Sequence, residues 1–142
     1  MDSSFTATKS IVINASPAKV WEALTKPEIV KQYMFGAEVV STWQKGSSLI
    51  YKGMWEGKPF EDKGTILEIK PEKILKATYY SALSGLEDKP ENYNTVTYEL
   101  TPKSDATKLT VTQENNPSED AKAKAEENWG RVLGTIKKLI ES

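Results

Sequence analysis

Residues 118–140 read as one long amphipathic helix, and that helix limits what the rest of the chain can be. At 100° per residue, Ala121, Ala125, Trp129, Val132, Leu133, Ile136, Leu139 and Ile140 fall within an arc of about 120°, the width of a helix packed along one side. Lys124, Glu127, Arg131 and Lys138 take the opposite face. Twenty-odd residues at about 1.5 Å each span roughly 30–36 Å, enough to cross a whole sheet. Asn116 is the expected cap, with Pro117 at the first helical position and Glu119 at the third.

The surface that such a helix needs is supplied upstream. Residues 37–113 are short alternating segments split by Gly, Pro, Asn and Asp, with strands expected at 37–43, 48–51 (extendable to Trp55), 63–69, 74–80, 94–102 and 107–113. Thr95–Leu100 and Leu109–Thr112 alternate cleanly, as in a sheet with one wet and one packed face. Lys103-Ser104-Asp105-Ala106 joins them as a hairpin turn, and residues 84–92 form the long loop, placed beside a cavity mouth.

Before these comes a first strand over residues 5–13, with Phe5, Ile11 and Ile13 on one face, bringing the strand count to seven. Residues 1–4 are polar and expected to fray. Ser16 is a natural N-cap and Pro17 a natural first helical residue for a helix with Val20, Trp21 and Leu24 as its apolar stripe. Thr25-Lys26-Pro27-Glu28 reads as a capping box that launches a second short helix through Ile29, Val30 and Tyr33. The expectation is one α+β domain, residues 1–142: a curved antiparallel sheet wrapped on the last helix.

Composition removes much chemistry. Cysteine and histidine are absent, which excludes disulfides, thiolate and imidazole metal ligands, and Ser-His or Cys-His relays. With 19 basic against 20 acidic side chains and a net charge of -1, a nucleic-acid or anionic-membrane partner is not expected. No signal segment or membrane-spanning apolar run is evident, so a cytoplasmic protein is expected, needing neither metal nor cofactor.

The order of elements is that of a helix-grip fold, and the residues that fill it resemble a known family. The runs that carry the resemblance are residues 11–25 with Pro27-Glu28, then Gly64-Thr65-Ile66-Leu67-Glu68-Ile69-Lys70-Pro71 with Ile74-Leu75. Thr95–Leu100 leading to Thr107–Thr112, and Asn128-Trp129 with Leu133 and Leu139, complete them. The chain resembles the SRPBCC (START-like) superfamily, in the group named for the activator of the ninety-kilodalton heat-shock protein ATPase. Asn128-Trp129 stands where that family commonly has Gly-Trp. The resemblance implies an apolar cavity between sheet and helix in many members, which bind lipids, sterols, plant hormones or polyketides, cyclise polyketides, or stimulate the chaperone ATPase. It covers that module alone, without the additional N-terminal domain of the eukaryotic chaperone activator.

The candidate ligand-binding residues are Leu24, Tyr33, Met34, Tyr51, Ile66, Tyr79, Tyr98, Trp129, Leu133 and Ile136. Tyr51, Tyr79 and Tyr98 are placed inward toward Trp129, where they are either core packing or the polar atoms that orient a ligand. Tyr33, Met34 and Phe35 form either a lip over the cavity or a plug closing the core. Gly130 and Gly134 imply close contact with a strand or, failing that, room for a ligand. No catalytic residue is assigned: Glu68, Glu99, Glu114 and Asp62, the last on a turn, are read as solvated carboxylates, with Glu68 turned inward unless Ile69 marks a bulge.

Carriage or sensing of a small apolar or weakly polar ligand is therefore the leading expectation, with charged metabolites excluded by an apolar lining. The rivals are a protein-interaction module of the stress response, acting on a chaperone or other client, and a cyclase-like enzyme. A cavity of several hundred cubic ångströms would favour the first, an exposed apolar patch the second, and a buried carboxylate at the cavity the third.

Overall fold

The computed structural model describes residues 5–34, 36–81 and 85–141. The expectations for residues 1–4, for Phe35 and for Ser84 lie outside the described residues. Alternation of inward and outward side chains builds one seven-stranded antiparallel sheet in the order β1-β7-β6-β5-β4-β3-β2. The strands are β1 (Ala7–Ile13), β2 (Glu38–Val40), β3 (Ser48–Trp55), β4 (Lys58–Lys70), β5 (Ile74–Tyr79), β6 (Asn94–Lys103) and β7 (Ala106–Glu114). Two short helices, α1 (Pro17–Thr25) and α2 (Pro27–Val30), follow β1, and α3 (Glu119–Glu141) closes the chain.

The helix starts follow local chemistry, with two departures. Ser16 accepts the Lys19 amide at 3.3 Å, and Pro17 opens α1 as expected. The capping box at Thr25 does not form: Thr25 stays in α1 and donates its hydroxyl to Trp21 O at 2.9 Å, while α2 begins at Pro27 with Lys26 as an N-cap residue that makes no side-chain cap. The cap of α3 is Ser118, whose Oγ accepts the Ala121 amide at 3.1 Å, and not Asn116. Asn116 is buried and donates to Phe5 O and Gln113 O, tying the end of β7 to the start of the chain.

Three strand boundaries differ from the sequence reading. β1 begins at Ala7, and β2 is only three residues long, with Trp43 beyond it at a φ of +56°. β4 reaches back to Lys58, so β3 and β4 form a hairpin pairing Trp55 with Lys58 across Glu56 and Gly57. Both turn residues have positive φ (51° and 80°), the conformation of the tight hairpin turn whose twist matches that of the strands. The hairpin turn at Ser104-Asp105 stands as read, with Lys103 opposite Ala106.

Further along β4 the register shifts between Ile66 and Glu68. The bulge settles the direction of Glu68: its side chain is 44% exposed and lies 3.7 Å from Lys70. Just before the bulge, Gly64 passes so close to β5 that a Cβ there would stand 1.7 Å from Thr78 O, which requires glycine. The freed Thr65 amide is satisfied by Thr78 Oγ1 at 2.8 Å.

α3 packs against β1 at one edge of the sheet, and its phase matches the expected arc: Val132, Leu133 and Ile136 are buried. Three of its side chains bond the backbone of that edge strand and of the residue that follows it. Glu126 and Glu141 accept the Thr8 and Asn14 amides at 3.3 and 2.8 Å, and Lys137 donates to Val12 O at 2.8 Å. This covers an edge that would otherwise invite pairing with another chain. The close strand contact expected at Gly130 and Gly134 is absent: a Cβ at Gly134 would meet nothing within 4 Å, and at Gly130 only Lys9 Cε at 3.9 Å. No helix among the described residues is long and apolar enough to cross a membrane.

Candidate functional site

The inward face of β3 to β7 does not close completely onto α3, and the gap is a cavity of about 130 Å³. It is smaller than the several hundred cubic ångströms that would favour a ligand carrier outright. Register explains its lining. Tyr51 stands directly opposite Asp62 and Gly53 opposite Phe60, and the Phe60 ring lies 2.7 Å from where a Cβ on Gly53 would be. Thus the missing side chain at Gly53 is what lets Phe60 fold over β3 and form one wall. Ala77 opposite Val96 leaves a low floor, with Tyr98 beside it on the same sheet face and Trp129 entering from α3.

Of the ten residues named from sequence, Met34, Tyr51, Tyr79, Tyr98 and Trp129 line this space. Leu24, Ile66, Leu133 and Ile136 are instead packed in the core. Tyr33 packs beside it, with its hydroxyl given to Ala23 O at 2.7 Å. Thr78, Gln113 and Asn128 line the cavity and carry no helical or apolar signal that sequence reasoning could have used. Neither Gly130 nor Gly134 does so.

The Trp129 wall is fixed by a relay of hydrogen bonds. Its indole Nε1 donates to Gln113 Oε1 at 2.8 Å, and Gln113 Nε2 donates to Asn116 Oδ1 at 2.8 Å. The Tyr98 and Trp129 rings meet edge to face, centroids 5.8 Å apart at 84°, the arrangement favoured by their quadrupoles. Tyr98 is pushed well above its ordinary pKa by burial first and then by the neighbouring tyrosines, so it presents a neutral hydroxyl.

The departure of most consequence is Asp62. Read as a solvated turn residue, it lies on β4, is 8% exposed and lines the cavity. Extending β4 back through the Glu56-Gly57 turn and counting in twos from Ile66 and Gly64 would have found it. Tyr79 donates its hydroxyl to Asp62 Oδ2 at 2.5 Å, while Asp62 Oδ1 is shut off from bulk water and has no hydrogen-bond partner among the described residues. A polar atom buried in that state costs about 1–3 kcal/mol, and more when it is charged. Burial raises the Tyr51 and Tyr79 pKa values, with the charge of Asp62 adding to both and its hydrogen bond adding further at Tyr79. No hydrogen bond engages the Tyr51 or Tyr98 hydroxyl among the described residues.

Glu99 is exposed and Glu114 half-buried, so neither joins Asp62. No group of His, Cys, Asp and Glu among the described residues could hold a metal ion. The site offers an aromatic and aliphatic chamber with one under-satisfied carboxylate and two idle phenol hydroxyls.

Comparison with known proteins supplies the setting. The family described as activator of Hsp90 ATPase homolog 1-like protein matches residues 14–141. No curated protein matches. The solution structure of ChR145 from Cytophaga hutchinsonii is 45% identical, with a TM-score of 0.87 over 99% of this chain and 97% of that one. The Aha1 dimer from Colwellia psychrerythraea is 20% identical, with a TM-score of 0.74 over 96% of each chain. DynU16, a protein of the dynemicin biosynthetic locus, is also 20% identical, with a TM-score of 0.80 over 98% of this chain and 48% of its own. The last two likenesses establish the fold alone.

Proposed function

The chain belongs to the activator of Hsp90 ATPase homolog 1-like family, and from that premise we propose that it binds a small apolar or weakly polar molecule between the sheet and α3, for carriage or sensing. The observation that carries the reading is the cavity itself. It is walled by Phe60, Tyr98, Trp129, Val96 and Val132, and polar atoms without protein partners stand at its border. An apolar chamber with a few polar groups is how a protein orients a small ligand. About 130 Å³ suits a single ring with a short substituent, since a dry cavity of about 150 Å³ accepts benzene.

Asp62 supports a second reading, that of an enzyme in which this carboxylate moves a proton on the bound molecule, as a cyclase-like role would require. The interaction-module reading has less to rest on: the exposed large apolar residues among those described, Val12, Val40, Met54, Leu67 and Leu86, lie one to an element.

The test is a thermal-shift screen of single-ring hydrocarbons, phenols and indoles beside nucleotides and sugar phosphates, repeated on Val132→Phe, which fills the chamber from α3. Apolar hits that raise the transition in the natural protein and lose their effect in Val132→Phe are expected. Hits confined to the phosphates, or hits indifferent to Val132→Phe, overturn the reading. Recovery of the bound molecule unchanged after long incubation separates carriage from catalysis.

A further inference from the structure

Asp62 is the one carboxylate among the described residues that line the chamber. Among the described lining residues there is no lysine or arginine. The lysine next in sequence, Lys63, points to the other face of β4 and is engaged by Asp88 at 2.6 Å. Tyr79 satisfies one oxygen of Asp62, and the other has no partner among the described residues. Tyr51, directly across the β3–β4 ladder from Asp62, lines the same space with an idle hydroxyl that can accept as well as donate. The Tyr98 and Trp129 rings line the same space, and aromatic faces attract cations.

We infer that the ligand is an organic ammonium, a protonated amine on a single-ring or comparably small apolar body, whose charged head is held by Asp62 while its body fills the chamber between Phe60, Tyr98 and Trp129. This rests on the cavity reading above and adds the head group to it. An ammonium brings three donors and one positive charge, which meets the free oxygen of Asp62, the Tyr51 hydroxyl and the charge imbalance together. An alcohol would bring one donor and leave the charge uncompensated. A carboxylate or phosphate would set like charges side by side in a confined space, which disfavours both. Hence the anticipated exclusion of charged molecules holds for anions and reverses for cations.

Four probes of similar size test this: benzylamine, benzyl alcohol, toluene and benzoate, titrated at neutral pH and followed by the NMR shift of the Trp129 indole N–H. Benzylamine is expected to bind at least tenfold more tightly than toluene or benzyl alcohol, and benzoate not at all. In Asp62→Asn, benzylamine should fall to the level of toluene while toluene itself is unchanged, the fold being checked by the thermal transition of the variant. Should that variant fail to fold, the ranking in the natural protein still decides. Toluene or benzyl alcohol binding as well as benzylamine overturns the ammonium head and leaves the cavity reading intact. No binding by any of the four overturns both.

Discussion

Two aspartate–tyrosine pairs lie on opposite sides of β4 and β5, the inner one on the strands themselves and the outer one in residues 88–93, which lead into β6. Inside, Tyr79 donates to Asp62 at 2.5 Å; outside, Tyr93 donates to Asp88 at 2.6 Å. The strand alternation that turns Asp62 and Tyr79 inward turns their neighbours Lys63 and Tyr80 outward, and those neighbours complete the outer pair. Lys63 bridges Asp88 at 2.6 Å, Tyr80 stacks on Tyr93 with centroids 5.2 Å apart, and the Tyr80 hydroxyl donates to Leu86 O. The outer carboxylate thus has a cation, a phenol and water, and it latches residues 85–92 onto the sheet. Among the described residues, the inner one has a phenol and nothing else. Like chemistry is saturated where it serves structure and left open where it borders a chamber, as binding sites sacrifice stability for function.

The largest test of the contrast is alkaline titration. Tyr51, Tyr79 and Tyr98 have pKa values raised above their ordinary 10.0, chiefly by burial. Above pH 10 the unfolded chain therefore sheds protons that the folded chain keeps, so stability falls as pH rises. At about 1.4 kcal/mol per group per pH unit, these three together with Tyr33, which burial raises likewise, remove about 6 kcal/mol by pH 11. Urea midpoints measured between pH 9 and 11 check this. A flat profile would mean that the inner tyrosines ionise freely and that the chamber is wet.

The regions that sequence could read are those governed by period. The α3 arc, the β6–β7 hairpin and the inward setting of Tyr51, Tyr79 and Tyr98 all follow from spacing of 3.6 or 2. Asp62 was hidden by one turn: Glu56 in a left-handed conformation beside Gly57 made a hairpin where the residues suggested a longer break. The size of the chamber was not legible at all. It depends on the Phe60 ring lying over Gly53 and on how far Met34 fills the opposite side, which are outcomes of packing between strands distant from one another in local signal. Gly130 and Gly134 show the converse, a sequence feature that suggested crowding where there is open space.

A smaller effect comes from deleting the two phenol hydroxyls in turn. Tyr79→Phe leaves both oxygens of a buried carboxylate without a protein donor and should cost about 1.5–3 kcal/mol. Tyr93→Phe leaves Asp88 with Lys63 and solvent, keeps the ring stack, and should cost at most about 0.5 kcal/mol. Urea midpoints of the two variants measure the difference directly. Equal losses would remove the distinction between an open inner site and a closed outer latch.

The smallest effect belongs to the latch itself and appears in acid. The hydrogen bonds from Lys63 and then Tyr93 hold the Asp88 carboxyl below its ordinary 3.8, against a weaker opposing effect of burial. A lowered folded pKa means that the contribution is present above the unfolded value and is lost as pH falls through the folded one. The latch should therefore stay shut down to about pH 3.8 and loosen only below it. Because Asp88 and Lys63 are both solvent-exposed, the change is local and sensitive to salt, whose Debye length shrinks to about 3 Å at 1 M. Ring-proton shifts of Tyr80 and Tyr93 should move with a midpoint below 3.8, and Asp88→Asn should abolish the movement. A midpoint at or above 3.8 would show that residues 85–92 are not held to the sheet by this carboxylate in solution, and the outer pair would then be no better satisfied than the inner one.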